Sequence, residues 1–291
     1  MPVSLDCVLC LTRQSLEAAR FATPDENRHT AVLKSAFDIV RDIGFTTIPP
    51  IVAQQIQRVI RLETGNNDPY REQKYQSNVL MMSVRDKLSS QIAESGKILD
   101  TAVHLAIAGN AIDYAVKGDW DSQSILEVFQ KATQTPINGS VAELGNVFAK
   151  AKNVLYLLDN CGEIVCDQLL IETLQTLYKD MKITAVVRGL PVLNDAVLED
   201  AKLVGLDRIV PVIDNGNDAV GTILEQCGEK FHNALRQCDL IIAKGLANYE
   251  TLVEYNKKTL PMPIAYLFKA KCQFIAKYAG VQLNDLVIRV V

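Results

Sequence analysis

Residues 153 to 163 read NVLYLLDNCGE. Val154 to Leu158 is an unbroken apolar run with no polar alternation, the pattern of a strand covered on both faces. Asp159-Asn160-Cys161-Gly162 then supplies turn and helix-start residues, and an amphipathic segment begins at Glu163. A buried strand turning into a helix in this way is one unit of a parallel α/β sheet.

The same texture continues downstream. Apolar, β-branched runs predict further strands at 183–187, 208–213, 239–243, 263–267 and 285–290, with the first at 153–158. The helices between them are predicted at 163–178, 193–203, 218–235, 249–256 and 269–279. Upstream the texture differs. From Leu5 to about Ala149, apolar residues recur at three and four, as in SLEAARFA and IVAQQIQRVIRLETG, and no segment reads as a strand. Turn residues at Thr23-Pro24, Pro49-Pro50, Gly65 to Pro69 and Asn138-Gly139 separate the helices. The expected organisation is α/β: an all-helical domain over residues 1–149, then a Rossmann-like domain with a mostly parallel sheet over residues 150–291.

Composition narrows the class. The chain has 291 residues, 48% hydrophobic and 22% charged, which is ordinary for a folded domain or two. A formal charge of -4 and a pI near 5.5 give no net positive field to draw the protein onto nucleic acid or an anionic membrane. No apolar run approaches the roughly 18 residues of a membrane span, and MPVSLDCVLC lacks a basic leader, so the expected location is cytoplasmic. Seven cysteines, several inside helices or strands, fit reduced thiols better than a disulfide framework. Cys7 and Cys10 form half of a zinc motif, or simply a thiol pair on the first helix.

In an open parallel sheet, ligands bind beyond the carboxyl ends of the strands. Those positions carry Asp159-Asn160-Cys161-Gly162-Glu163, Arg188-Gly189 with Asn194-Asp195 shortly after, Asp214 to Asp218, and Lys244-Gly245 with Asn248 and Glu250. Asp159, Asn160 and Asp195 offer the oxygen donors that a hard divalent cation prefers. Lys244 and Arg188 add positive charge, and Gly162 and Gly189 let backbone amides approach an anion. Together these suit phosphoryl transfer. Each loop alone is better explained as a turn or helix cap, the four together shift the balance toward a ligand site, and Asp214 to Asp218 is nearly pure turn chemistry. No G-x-G-x-x-G, P-loop or G-x-S-x-G motif follows a strand. Cys161 has no histidine near it in sequence to act as a base.

With these residues collected, the sequence resembles the damage-control phosphatase family, also known as domain-of-unknown-function family 89. The resemblance runs nearly end to end, through Cys7-x-x-Cys10, Asp68-Pro69-Tyr70 with Lys74 and Asn78, Gly109-Asn110-x-x-Asp113, Asp159-Asn160-x-Gly162-Glu163, Arg188-Gly189, Asn194-Asp195, Lys244-Gly245 with Asn248 and Glu250, and Lys271-Cys272. It implies a helical domain capping a Rossmann-like domain, and hydrolysis of sugar phosphates or damaged phosphometabolites. It implies a divalent ion (Mg, Mn, Co or Ni) on Asp159, Asn160 and Asp195, and Asp159 and Lys244 as catalytic groups. Substrate contacts would come from Asn110, Asp113, Gly162, Glu163, Arg188, Gly245 and Asn248. Gly109-Asn110 interrupts an apolar helix expected over 102–115, where the glycine costs about 1 kcal/mol. Substrate contact explains that cost, and so does a close helix contact.

The expected partner is a small phosphorylated metabolite, with no nucleic acid and no membrane; the residues do not give the oligomeric state. Asp159-Asn160-Cys161 lacks the Asp-x-Asp pair of aspartyl-phosphate enzymes, which favours water over Asp159 as nucleophile. An S-adenosylmethionine-dependent carboxyl methyltransferase is the competing enzyme, against which the lone Gly162 after the first strand speaks. A non-catalytic sugar-phosphate-binding protein would gain little from acidic residues without a metal.

Overall fold

The computed structural model describes residues 1–110, 121–256 and 260–291. Along the chain these form α1 (Leu5–Ala22), α2 (Glu26–Arg41), α3 (Pro49–Thr64), α4 (Arg71–Glu94), α5 (Ile98–Gly109), α6 (Ser122–Gln134), β1 (Ile137–Asn138), α7 (Val141–Phe148), β2 (Asn153–Leu157), α8 (Glu163–Leu177), β3 (Lys182–Val187), α9 (Leu198–Leu203), β4 (Val212–Asp214), α10 (Glu229–Gln237), β5 (Leu240–Lys244), α11 (Gly245–Asn256), β6 (Ile264–Lys269), α12 (Gln273–Ala279) and β7 (Leu286–Val290). Local chemistry sets several ends. Asp25 and Asp121 cap α2 and α6 through their side chains, Pro49-Pro50 opens α3, and Gly65 closes it in the left-handed region at φ 71°.

One sheet runs through the molecule in the order β1-β7-β6-β5-β2-β3-β4. All neighbours are parallel except β6 and β7, which are antiparallel. From β2 the chain first moves outward through β3 and β4, then returns to place β5 on the other side of β2. That reversal opens a crevice at the carboxyl ends of β2 and β5, the standard ligand position of a doubly wound sheet.

Two faces and a separate bundle make up the apolar interior. One face is covered from α8 and α9 and from the earlier helices, with Leu88, Val103, Ile107, Phe129 and Phe148 packed in the same cluster as Ile164, Leu170 and Ile242. The other carries Phe231, Leu252 and Ile275 from α10, α11 and α12. A third cluster joins α1, α2 and α3 through Leu11, Val32 and Ile56, and touches Leu193 and Val220.

Several elements differ from the sequence reading. Ile137–Asn138 pairs with β7 as an edge strand within the stretch expected to be wholly helical. The helix expected from 193 starts only at Leu198, because Leu193 takes a positive φ and residues 195 and 197 bridge to Asn160 and Arg188. The helix expected over 218–235 is confined to α10. Gly221 (φ 82°) stands so close to the Ala247 carbonyl that a Cβ there would lie 2.4 Å from its oxygen, and a short 3-10 turn fills 224–226. β4 is shorter than expected because a 3-10 turn occupies Leu206–Arg208. Among the described residues no helix is long and apolar enough to cross a membrane.

Candidate active site

Backbone pairing brings the loops after β2 and β3 together. Ala196 N donates to the Asp159 carbonyl at 2.9 Å, Cys161 N donates to the Asn194 carbonyl at 2.9 Å, and Asn160 and Asp195 form an antiparallel bridge. Asp159, Asn160 and Asp195, expected as ligands of one cation, are thereby neighbours, and all three are buried.

Arg188, at the end of β3, is 1% exposed and ties this group together. Its Nε donates to Asp195 Oδ2 at 2.6 Å, Nη2 to Asp159 Oδ1 at 3.4 Å and Nη1 to Asn248 Oδ1 at 3.4 Å. A planar guanidinium offers these divergent donors and a lysine cannot. Asn248 is oriented by three further bonds: its amide donates to the Leu158 and Lys244 carbonyls, and its oxygen accepts from Thr222 Oγ1 at 2.8 Å. From the helical side Asn110 Nδ2 donates to Asp159 Oδ2 at 3.2 Å and to Glu163 Oε2 at 2.5 Å, while Asn160 Nδ2 donates to Asp159 Oδ2 at 3.1 Å. Gly109 serves packing as well, since a Cβ there would lie 3.2 Å from Cys166 of α8. Asp113 lies outside the described residues.

Lys244 is placed differently from its expected role at a phosphate. It is fully buried, and its three N–H groups are matched by three acceptors: Ala106 O at 2.8 Å, Glu163 Oε1 at 2.6 Å and Asp167 Oδ1 at 2.6 Å. Burial would lower the Lys244 pKa, but Asp167 and Glu163 outweigh it and raise it well above the usual value. Burial, only partly offset by Lys244, pushes the Asp167 carboxyl up to about 7. Tyr156 also donates to Asp167 Oδ1 at 2.7 Å. The sequence reading missed Asp167, although Glu163 and Asp167 are four apart on α8 and so share a face.

The amide expected at Gly162 is also committed, because Gly162 N donates to Asn78 Oδ1 at 2.7 Å. Gly189 N likewise donates to Asn215 Oδ1 and the Asn217 carbonyl, both at 2.9 Å. Gly245, by contrast, opens α11 at φ 76° with its backbone directly against the Asp159 carboxylate. The amino-terminal end of α11, the positive end of its dipole, therefore meets the Asp159 carboxylate. Cys161 is buried and its thiol pKa is pushed far up by burial, so it is no ready nucleophile. Cys7 and Cys10 carry free thiols on α1.

Among the described residues no group of three or more His, Cys, Asp or Glu side chains is gathered for a metal; the set here is two carboxylates and a carboxamide. Its donor chemistry suits a hard cation.

A doubly wound sheet with buried carboxylates and two buried cations at its switch point has the ligand-binding architecture of α/β proteins. Residues 3–287 match the family model of the damage-control phosphatase ARMT1-like domain, and the chain belongs to that family of metal-dependent phosphatases. It is 33% identical over 294 residues to a damage-control phosphatase of Archaeoglobus fulgidus, covering 100% of both chains. It is 37% identical over 290 residues to an uncharacterized protein of Methanocaldococcus jannaschii, covering 97% of this chain and 93% of that one. The crystal structure of a family 89 protein from Pyrococcus horikoshii superposes with a TM-score of 0.89 at 30% identity, covering 99% of this chain and 98% of that one.

Proposed function

We propose that the protein hydrolyses phosphomonoesters of small metabolites, such as sugar phosphates or damaged phosphometabolites, in the cytoplasm. Asp159, Asn160 and Asp195 would hold one divalent cation of the Mg, Mn, Co or Ni type. The observation that carries this reading is the backbone pairing that sets Asp159, Asn160 and Asp195 side by side and buried, at the amino-terminal end of α11. Two carboxylates and a carboxamide oxygen are the donors that a hard divalent cation takes.

Bound there, such a cation supplies charge stabilisation for the phosphate and an acidified water. The chain's own residues do the rest. Arg188 fixes the spacing of Asp159 and Asp195 and screens their mutual repulsion. Asn248 and Thr222 hold the guanidinium in place. Asn110 links Asp159 to Glu163, so the helical layer senses both. The first-turn amides of α11 stand where phosphate oxygens would meet them. Lys244 keeps positive charge beside the site, and its contact with a phosphate requires release of Glu163 or Asp167.

Water is the favoured nucleophile. Asp159 is assigned to the cation, and Asp159-Asn160-Cys161 lacks the Asp-x-Asp pair of aspartyl-phosphate enzymes. The test is phosphate release from a panel of sugar phosphates and p-nitrophenyl phosphate, using chelator-stripped protein with Mg²⁺, Mn²⁺, Co²⁺ or Ni²⁺ restored. No release with any metal would overturn the reading.

A further inference from the structure

Of the segment Asp68-Pro69-Tyr70 with Lys74 and Asn78, only the bond from Gly162 to Asn78 has entered the site so far. Lys74, Ser77, Asn78 and Met81 recur at helical spacing on α4, and all are buried. This face meets both loops of the expected cation set at once. Asn78 Oδ1 accepts from Gly162 N at 2.7 Å, two residues beyond Asn160. Its Nδ2 donates to Asp200 Oδ1 at 3.0 Å. The other oxygen of Asp200 accepts from Val197 N at 3.0 Å, two residues beyond Asp195.

Asn78 is 0% exposed, so water cannot substitute for either bond. Asp200 is in turn held by Lys74, whose ammonium is 3.6 Å from Asp200 Oδ2 and 2.7 Å from Asp68 Oδ2. Gly162 adds a steric stop: at φ 78° a Cβ would lie 3.2 Å from the Ser77 side chain, so the loop rests directly on α4.

We propose that Asn78 is a positioning residue: bonded directly to the loop after β2 and, through Asp200 of α9, to Val197 at the end of the loop after β3, it braces the spacing of the Asp159-Asn160 pair and Asp195 that the backbone bridge and Arg188 establish. The inference rests on the assignment of those three residues to a cation. A carboxamide suits the place, because it must accept from Gly162 N and donate to the Asp200 carboxylate.

The experiment is titration calorimetry of Mn²⁺ into chelator-stripped protein, with thermal unfolding and kcat and KM on p-nitrophenyl phosphate measured alongside. Asn78→Ala should remain folded, weaken Mn²⁺ about tenfold or more, the scale on which groups behind metal ligands act, and lower kcat more than it changes KM. Asn78→Asp should be worse, since it sets a second carboxylate against Asp200. Adding Asp200→Asn to it reverses donor and acceptor across the same contact and should restore Mn²⁺ affinity to within about threefold of wild type. Wild-type Mn²⁺ affinity in folded Asn78→Ala would overturn the proposal. If that variant does not fold, the pair N78D and N78D/D200N decides, and a double variant no tighter than N78D overturns it. Absence of Mn²⁺ binding by the wild type would instead sink the cation assignment, and this inference with it.

Discussion

Gly245 and Asp159 are in direct contact: a Cβ placed on Gly245 would lie 1.9 Å from Asp159 Oδ2. No rotamer of a new side chain relieves this, because the Cβ itself is the clash, and φ 76° already disfavours any residue with one. Gly245→Ala must therefore displace either the start of α11 or the carboxylate. Displacements of about 1 Å in such sites cost on the order of 100-fold in rate. Gly245→Ala should lose about that much kcat/KM for p-nitrophenyl phosphate while its circular dichroism spectrum stays that of the wild type.

Arg188→Lys keeps the charge and loses the fork. A single ammonium cannot reach Asp195, Asp159 and Asn248 in the directions that Nε, Nη2 and Nη1 do. The expected outcome is a loss of about 10- to 100-fold in Mn²⁺ affinity, read by calorimetry. Retention of full affinity would show that charge alone suffices there.

Lys244→Met leaves Glu163 and Asp167 buried with no counter-ion. Removing one partner of such a group typically costs about 3–5 kcal/mol. The Asp167 carboxyl, already raised to about 7 by burial, loses the lysine that holds it down and moves higher. The folded variant then binds a proton that the unfolded chain has released, so its stability falls as pH rises from 5 to 8.5. Thermal unfolding across that range should show the variant losing more stability at the alkaline end than the wild type does.

Asp218 joins α3 to the loop after β4. Arg58 donates to it through Nε at 2.9 Å and Nη2 at 2.7 Å, Gln54 donates at 2.7 Å, and Arg61 completes the clasp. Burial alone would raise this carboxyl, but the bonds from Arg58 and Gln54 and the charges of Arg58 and Arg61 bring it down to about 2. A depressed carboxyl stabilises the folded state above its unfolded pKa near 4 and loses that contribution as pH falls toward 2. Arg58 is half exposed, which screens its share, so Asp218→Asn should cost about 1–2 kcal/mol at neutral pH. The gap between wild type and variant in denaturant unfolding should close between pH 4 and pH 2.

Much of the candidate site was legible because its residues follow strands. Asp159, Asn160, Arg188, Asp195 and Asn248 all lie at or just beyond the carboxyl ends of apolar runs, where the topology of a parallel sheet gathers ligand contacts. What the sequence hid was the partner of each donor. Lys244 reads as a free cation after β5, yet it is spent on Glu163, Asp167 and Ala106. Gly162 reads as a free amide, yet Asn78 takes it, and Asn78 looks like any polar residue on a long helix. The limits of the helices failed where a tertiary contact overrode periodicity, as at Gly221 against Ala247 and at Asp195 against Asn160. The pairing of Ile137–Asn138 was beyond reach for another reason: two residues carry no pattern, and their neighbour lies in the last strand.

That last strand has a consequence for biosynthesis. β7 inserts between β1 and β6, so Ile137–Asn138 waits for Leu286 and Val287 to be translated before it has any sheet neighbour. Until β7 pairs, β6, whose residues Ile264 to Phe268 are all buried in the folded protein, keeps one edge open. A folding chain at that stage is open to edge-to-edge association, and the antiparallel pairing of β7 with β6 closes that edge.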